Sequence, residues 1–109
     1  MKIVYDKLVR DGIPRLLDRK GKIYSYRVAS KEEYPVYLKK KLQEEVDEFL
    51  ESPCIEELAD IAEVLEHLSL VLGSNPGQLG VAMRHKGYKR GKFLKGYILE
   101  SVGKDEGQD

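Results

Sequence analysis

The sequence predicts an all-α domain: two long helices packed as an antiparallel bundle pair, a third helix beside them, and short non-helical arms at both ends. Three observations carry this expectation. Apolar residues recur at helical spacing over 38–50 and again over 55–72, with Ser52 and Pro53 between the two runs. Capping signals mark the helix ends: Ser30 with Glu33, Asn75-Pro76-Gly77-Gln78, and the glycines at 73, 87 and 91. Finally, 109 residues with 41% hydrophobic and 35% charged content suit one domain, residues 1–109, with a modest core.

Taken in order, Ile3, Val4 and Tyr5 lead into Lys7-Leu8-Val9-Arg10-Asp11-Gly12-Ile13-Pro14, an irregular or extended stretch, and a short helix over 14–19 is closed by Gly21. Ile23, Tyr24, Tyr26 and Val28 read as a short strand, because β-branched and aromatic residues favour one. Ser30 and Glu33 are spaced as a capping box, yet Pro35 sits badly at the fifth position of a continuous helix. A separate first turn, or a main helix opening at Pro35, resolves the conflict. That helix runs to about Glu51. Ser52 and Pro53 form the expected N-cap and first residue of the next, which extends to Leu72 and stops at Gly73. Asn75, Pro76 and Gln78 open the third helix, ending near Gly87 or Gly91. Tyr97, Ile98, Leu99 and Val102 suggest another short strand before a frayed polar tail over 103–109.

The formal charge of zero hides a strong segregation. Residues 1–43 hold twelve bases and five acids, 44–66 hold ten acids and no base, and 67–109 hold seven bases and four acids. An acidic run of this density would suggest disorder, but Val46, Phe49, Leu50, Ile55, Leu58, Ile61, Val64 and Leu65 recur within it at helical spacing. The run should therefore fold, and its charge needs a partner. Cys54 is the single cysteine, which excludes an intrachain disulfide and favours a reducing compartment. With no signal-like apolar run and no uncharged stretch approaching the roughly 20 residues of a membrane span, a cytoplasmic protein is expected.

At about 100° per residue, Leu38, Leu42, Val46, Phe49 and Leu50 share one face of the first long helix, and Glu45 falls on the same side. Glu48 lies one turn further along, within reach of Glu45. On the second helix Leu58, Ile61, Leu65, Leu68 and Leu72 form the stripe, widened by Val64 and Val71. Glu57 points into it and Asp60 lies at its rim. Antiparallel packing, the default across so short a connection, brings these four acids together. Buried unpaired carboxylates protonate or repel one another, and a divalent cation removes both penalties. An all-oxygen donor set suits Mg²⁺ or Mn²⁺ better than Zn²⁺. The competing possibility is a solvated acidic face paired with Lys39, Lys40 and Lys41. The apolar sectors on which Glu45 and Glu57 fall argue against it.

Glu45-x-x-Glu48 followed by Glu57-x-x-Asp60 resembles the ExxE…ExxD signature of the all-α nucleotide pyrophosphohydrolases, the MazG-like and phosphoribosyl-ATP pyrophosphohydrolase-like group. Lys7 to Pro14 looks like the KLVRDxIP start of one MazG-like branch, and Arg90-Gly91-Lys92-Phe93 with Lys95-Gly96 looks like that branch's RGGF ending. The resemblance spans about residues 5–102. In one respect the chain departs from the pattern: only eight residues separate Glu48 from Glu57, fewer than is usual in the family. The resemblance implies acids that bind Mg²⁺, cleavage of a nucleoside triphosphate between its α- and β-phosphates to a monophosphate and pyrophosphate, and an active unit that is at least a homodimer. Glu45, Glu48 and Asp60 are then the expected metal ligands, with Glu57 a fourth ligand or the catalytic base. A non-catalytic helical dimerisation or regulatory module is the alternative.

Such an acid cluster repels a triphosphate unless cations accompany it. Lys7 and Arg10 near the N-terminus, and Lys89 and Arg90 in the basic stretch 84–95, are the candidate phosphate-binding residues. Nucleic-acid binding, which Tyr88, Phe93 and Tyr97 could support by stacking, is disfavoured by overall neutrality and the acidic block. Three helices leave apolar sectors uncovered, notably around Val64 and Val71. Pairing with a second copy into a four-helix arrangement would cover them.

Overall fold

The computed structural model describes residues 2–104, so the polar tail expected beyond Lys104 lies outside the described residues. The chain is all-helical there: α1 Ile13–Arg19, α2 Glu33–Glu51, α3 Ile55–Val71 and α4 Pro76–Arg90. α2 packs along α3, and α4 packs on α3. Both short strands expected at 23–28 and 97–102 are absent among the described residues. A strand needs a hydrogen-bonding neighbour, and neither segment finds one. Tyr24 and Tyr26 instead stack on each other, with ring centroids 6.1 Å apart.

The helix ends follow local chemistry. Around Ser30 the capping box forms in full, with Ser30 N–H donating to Glu33 Oε1 at 3.0 Å and Glu33 N–H donating to Ser30 Oγ at 3.1 Å. Tyr34 N–H donates to Ser30 O, an i,i+4 bond that joins this turn to α2, so the helix runs on through Pro35 at its third position, neither after a separate turn nor opening at Pro35. The expected cap at Ser52 does not form. Ser52 ends α2 with φ −135° and ψ 77°, because a following proline disfavours the helical region, and Cys54 takes the N-cap position of α3. Gly73, at φ +79°, turns the chain out of α3 in the left-handed region that favours glycine. Asn75 Oδ1 accepts from Gln78 N–H at 2.9 Å and Pro76 is the first residue of α4, as its sequence predicts.

Packing selects one face of each helix. Leu38 on α2 and Val64 on α3 are the buried apolar side chains among the described residues, 2% and 7% exposed. Ser69 is buried beside them in α3, while Ile61 and Leu68 are half-buried. The seam of α3 thus runs through Glu57, Ile61, Val64 and Leu68. Leu58, Leu65 and Leu72, expected in the core stripe, lie on a neighbouring line and are exposed. Val64, expected on an uncovered sector, is instead central. α3 is apolar over more than one helical row, and α2 can cover only one of them. With a radius of gyration of 19.9 Å, the chain is far more extended than the about 13 Å of a compact domain of this size.

Candidate metal centre

The short Ser52–Cys54 connection folds α3 back along α2, which places Glu45 opposite the first turn of α3 where Glu57 stands. One carboxylate oxygen each from Glu45, Glu57 and Asp60 lie within 4.8 Å of one another. Glu45 is buried, at 6% exposure, and Glu57 and Asp60 are half-buried. The positive end of the α3 dipole favours the charge of Glu57.

Glu45 is divided between two environments. Its Oε1 lies 3.2 Å from Lys41 Nζ, one turn back on α2, while its Oε2 is buried with no hydrogen-bond partner. Glu57 Oε2 is likewise buried and unpartnered. Burial pushes the Glu45 carboxyl pKa up; Lys41 pulls the other way, and Glu48 nearby adds a further upward push. Two buried, unpartnered carboxylate oxygens, on side chains that approach one another, leave a deficit of positive charge. A hard divalent cation with carboxylate ligands supplies that charge, so the donor set fits Mg²⁺ or Mn²⁺. Glu48 stands at the edge of this group, exposed and close to Glu45, outside the trio of converging oxygens.

The N-terminal arm crosses the hairpin beside these acids. Tyr37 Oη donates to Asp6 Oδ1 at 3.0 Å, Lys7 Nζ pairs with Glu44 at 2.8 Å, and Arg10 Nη2 pairs with Asp60 Oδ1 at 2.6 Å. Asp6 adopts φ +45°, a left-handed conformation that Asp tolerates better than most side chains. Glu44 holds the Lys7 ammonium above its ordinary pKa and is itself lowered, and the hydrogen bond to Asp60 raises the Arg10 guanidinium. Such partly exposed pairs contribute up to about 1 kcal/mol each. The arm is therefore held by charge and is readily moved by competing charge.

Lys7 and Arg10 thus pair with acids at and beside the cluster. Lys89 and Arg90 end α4, which packs on α3, and neither forms an ion pair among the described residues. Beyond them Phe93 is 99% exposed, and Leu94, Tyr97, Ile98 and Leu99 are also exposed. Two further acids escaped the sequence reading. Glu44 is half-buried between Lys7 and Lys41. Glu63 extends the Glu57 and Asp60 row by three residues, a signal visible in the sequence; its Oε1 lies 3.8 Å from Arg10 Nη1 and its Oε2 lies 2.8 Å from His67 Nε2.

Compared with known proteins, the chain matches no family model, no curated protein and no solved structure. Among the described residues, no helix is long and apolar enough to cross a membrane.

Proposed function

We propose that the protein is a Mg²⁺-dependent nucleoside triphosphate pyrophosphohydrolase, in which water adds to the α-phosphorus and pyrophosphate leaves, giving a nucleoside monophosphate. One observation carries this reading: the buried, unpartnered oxygens of Glu45 and Glu57 beside Asp60. The resemblance of the acidic motifs and of both chain ends to the MazG-like group supports it. Glu45, Asp60 and Glu48 would hold the ion. When bound, the ion neutralises phosphate charge and lowers the pKa of an attacking water. Glu57 either joins the ligands or orients that water as base. Lys7 and Arg10 stand where they can exchange their carboxylates for phosphate oxygens, and Lys89 and Arg90 are further cations for the same charge.

The exposed line of Leu58, Leu65 and Leu72 supports a second copy covering α3 as a homodimer. That line also favours the second reading, a non-catalytic dimerisation module. Incubating wild type and Glu45→Gln with a nucleotide panel and Mg²⁺, then assaying pyrophosphate, separates the two readings. The enzyme reading expects release from at least one triphosphate, on the order of 10² faster in wild type than in the variant. Equal rates in both across the panel overturn it. Sedimentation of wild type against Leu65→Glu tests the dimer.

A further inference from the structure

Arg10 sits between two acids. Its Nη2 lies 2.6 Å from Asp60 Oδ1 and its Nη1 lies 3.8 Å from Glu63 Oε1, and these two acids are one helical turn apart on α3. The far oxygen of Glu63 is held by His67 Nε2 at 2.8 Å, four residues further along the helix. Glu63 belongs to neither acidic motif, and it is not one of the three converging carboxylates. Asp60, in contrast, serves both roles: it is one of those three and it is also the partner of Arg10.

We propose that Glu63 is a positioning residue, a second seat to which Arg10 moves when a divalent cation takes Asp60. This inference rests on the metal reading of Glu45, Glu57 and Asp60. Two cations on one carboxylate repel each other, and Arg10 is the mobile one, since its guanidinium is attached through a flexible side chain on an arm without helix or strand. Glu63 lies outside the metal trio but within reach of the same guanidinium, so the shift is small. His67 keeps the Glu63 carboxylate turned toward Arg10 by occupying its other oxygen. Upstream, Asp6 on Tyr37 and Lys7 on Glu44 keep the arm fastened to α2 during the exchange. Arg10 thus stays beside the metal with the Asp60-facing edge of its guanidinium released to meet phosphate oxygens. Without Glu63, metal binding would leave Arg10 with no acid to hold it and free to swing away.

The test follows the ¹⁵N signals of the Arg10 guanidinium and of the backbone amides of residues 9–12 during Mg²⁺ titration. It compares wild type, Glu63→Gln and Arg10→Gln, with Mg²⁺ affinity measured by calorimetry on the same samples. Both substitutions fall on exposed side chains, so the fold is preserved. In wild type, Mg²⁺ should shift the Arg10 guanidinium signals and leave residues 9–12 ordered. In Glu63→Gln, Mg²⁺ should release the guanidinium and lower the order parameters of residues 9–12. Arg10→Gln should bind Mg²⁺ about two- to fivefold more tightly than wild type, the range expected from removing one competing exposed ion pair. Mg²⁺ binding that leaves Arg10 equally ordered in wild type and Glu63→Gln overturns the role of Glu63 and leaves the metal site standing. Absence of Mg²⁺ binding to wild type overturns both.

Discussion

Lys41 reaches one oxygen of Glu45 at 3.2 Å from one turn back on the same helix, and the other oxygen of Glu45 is buried without a partner. A surface ion pair would leave the second oxygen to water. Here that oxygen is buried, so the side chain is half satisfied by its own helix and half by whatever enters between α2 and α3.

Divalent cations should therefore stabilise the fold. At a hundredfold excess over its dissociation constant, a ligand specific for the folded state adds about 2.7 kcal/mol. For a domain near 100 residues this raises Tm by on the order of 10 °C. Thermal unfolding followed by circular dichroism should show this for wild type with Mg²⁺ or Mn²⁺, and a much smaller rise for Asp60→Asn. Equal rises in both proteins would remove the case for a carboxylate cradle.

Glu45 should make the metal-free protein sensitive to pH in an unusual direction. Its folded pKa is raised above the ordinary 4.5 by burial, so the folded chain retains a proton that the unfolded chain has released. Stability then falls as pH rises through the window above about 4.5. With a chelator present, Glu45→Gln should be more stable than wild type at neutral pH, and the difference should vanish once the pH drops below about 4. Urea unfolding at a series of pH values measures the difference directly, and a gap that widens on acidification contradicts the assignment.

Glu33 should act in the opposite sense. Arg27 pairs with it through two nitrogens, at 2.7 and 2.8 Å, and Ser30 N–H donates to it as well, which together lower its pKa to about 2. Its contribution is complete above the unfolded value of 4.5 and is lost as pH falls toward about 2. A carboxyl ¹³C titration should place Glu33 well below the other glutamates, and Arg27→Gln should return it toward them. An unshifted midpoint in Arg27→Gln would show that the capping box alone holds the value down.

Lys89 and Arg90 offer a kinetic contrast with the acids. If they grip phosphates without touching the reacting centre, the double variant Lys89→Ala, Arg90→Ala should raise KM for a triphosphate while kcat stays near wild type. Glu57→Gln should lower kcat by on the order of 10². Initial rates over a range of nucleotide concentrations distinguish the patterns. A kcat loss in the double variant equal to that of Glu57→Gln would place these bases in the chemical step.

Much of the fold was legible in the chain because its determinants are short-range. The capping box at Ser30 and Glu33, the Asn75 cap and the left-handed turn at Gly73 depend on residues within a few positions of one another. Glu45 and Glu57 stood out for the same reason: helical periodicity puts an acid on an apolar face wherever the helix packs. Ser52 misled because a serine before a proline fits both an N-cap and an extended link, and the tight return of α3 selected the link.

By itself, the sequence determined that two amphipathic helices carry acids on their inner faces, since the helical period and the charge pattern are local properties. Tertiary structure alone decided which row of α3 meets α2. That row holds Val64 and leaves Leu58 and Leu65 outside, because α2 can cover only one of the adjacent apolar rows. It also decided that Lys7 and Arg10 lie across Glu44, Asp60 and Glu63, at separations of 37 and 50 residues for the two closest pairs. Ion pairs at such separations have no periodic signature: Coulomb attraction depends on distance in space, and only the folded hairpin sets that distance.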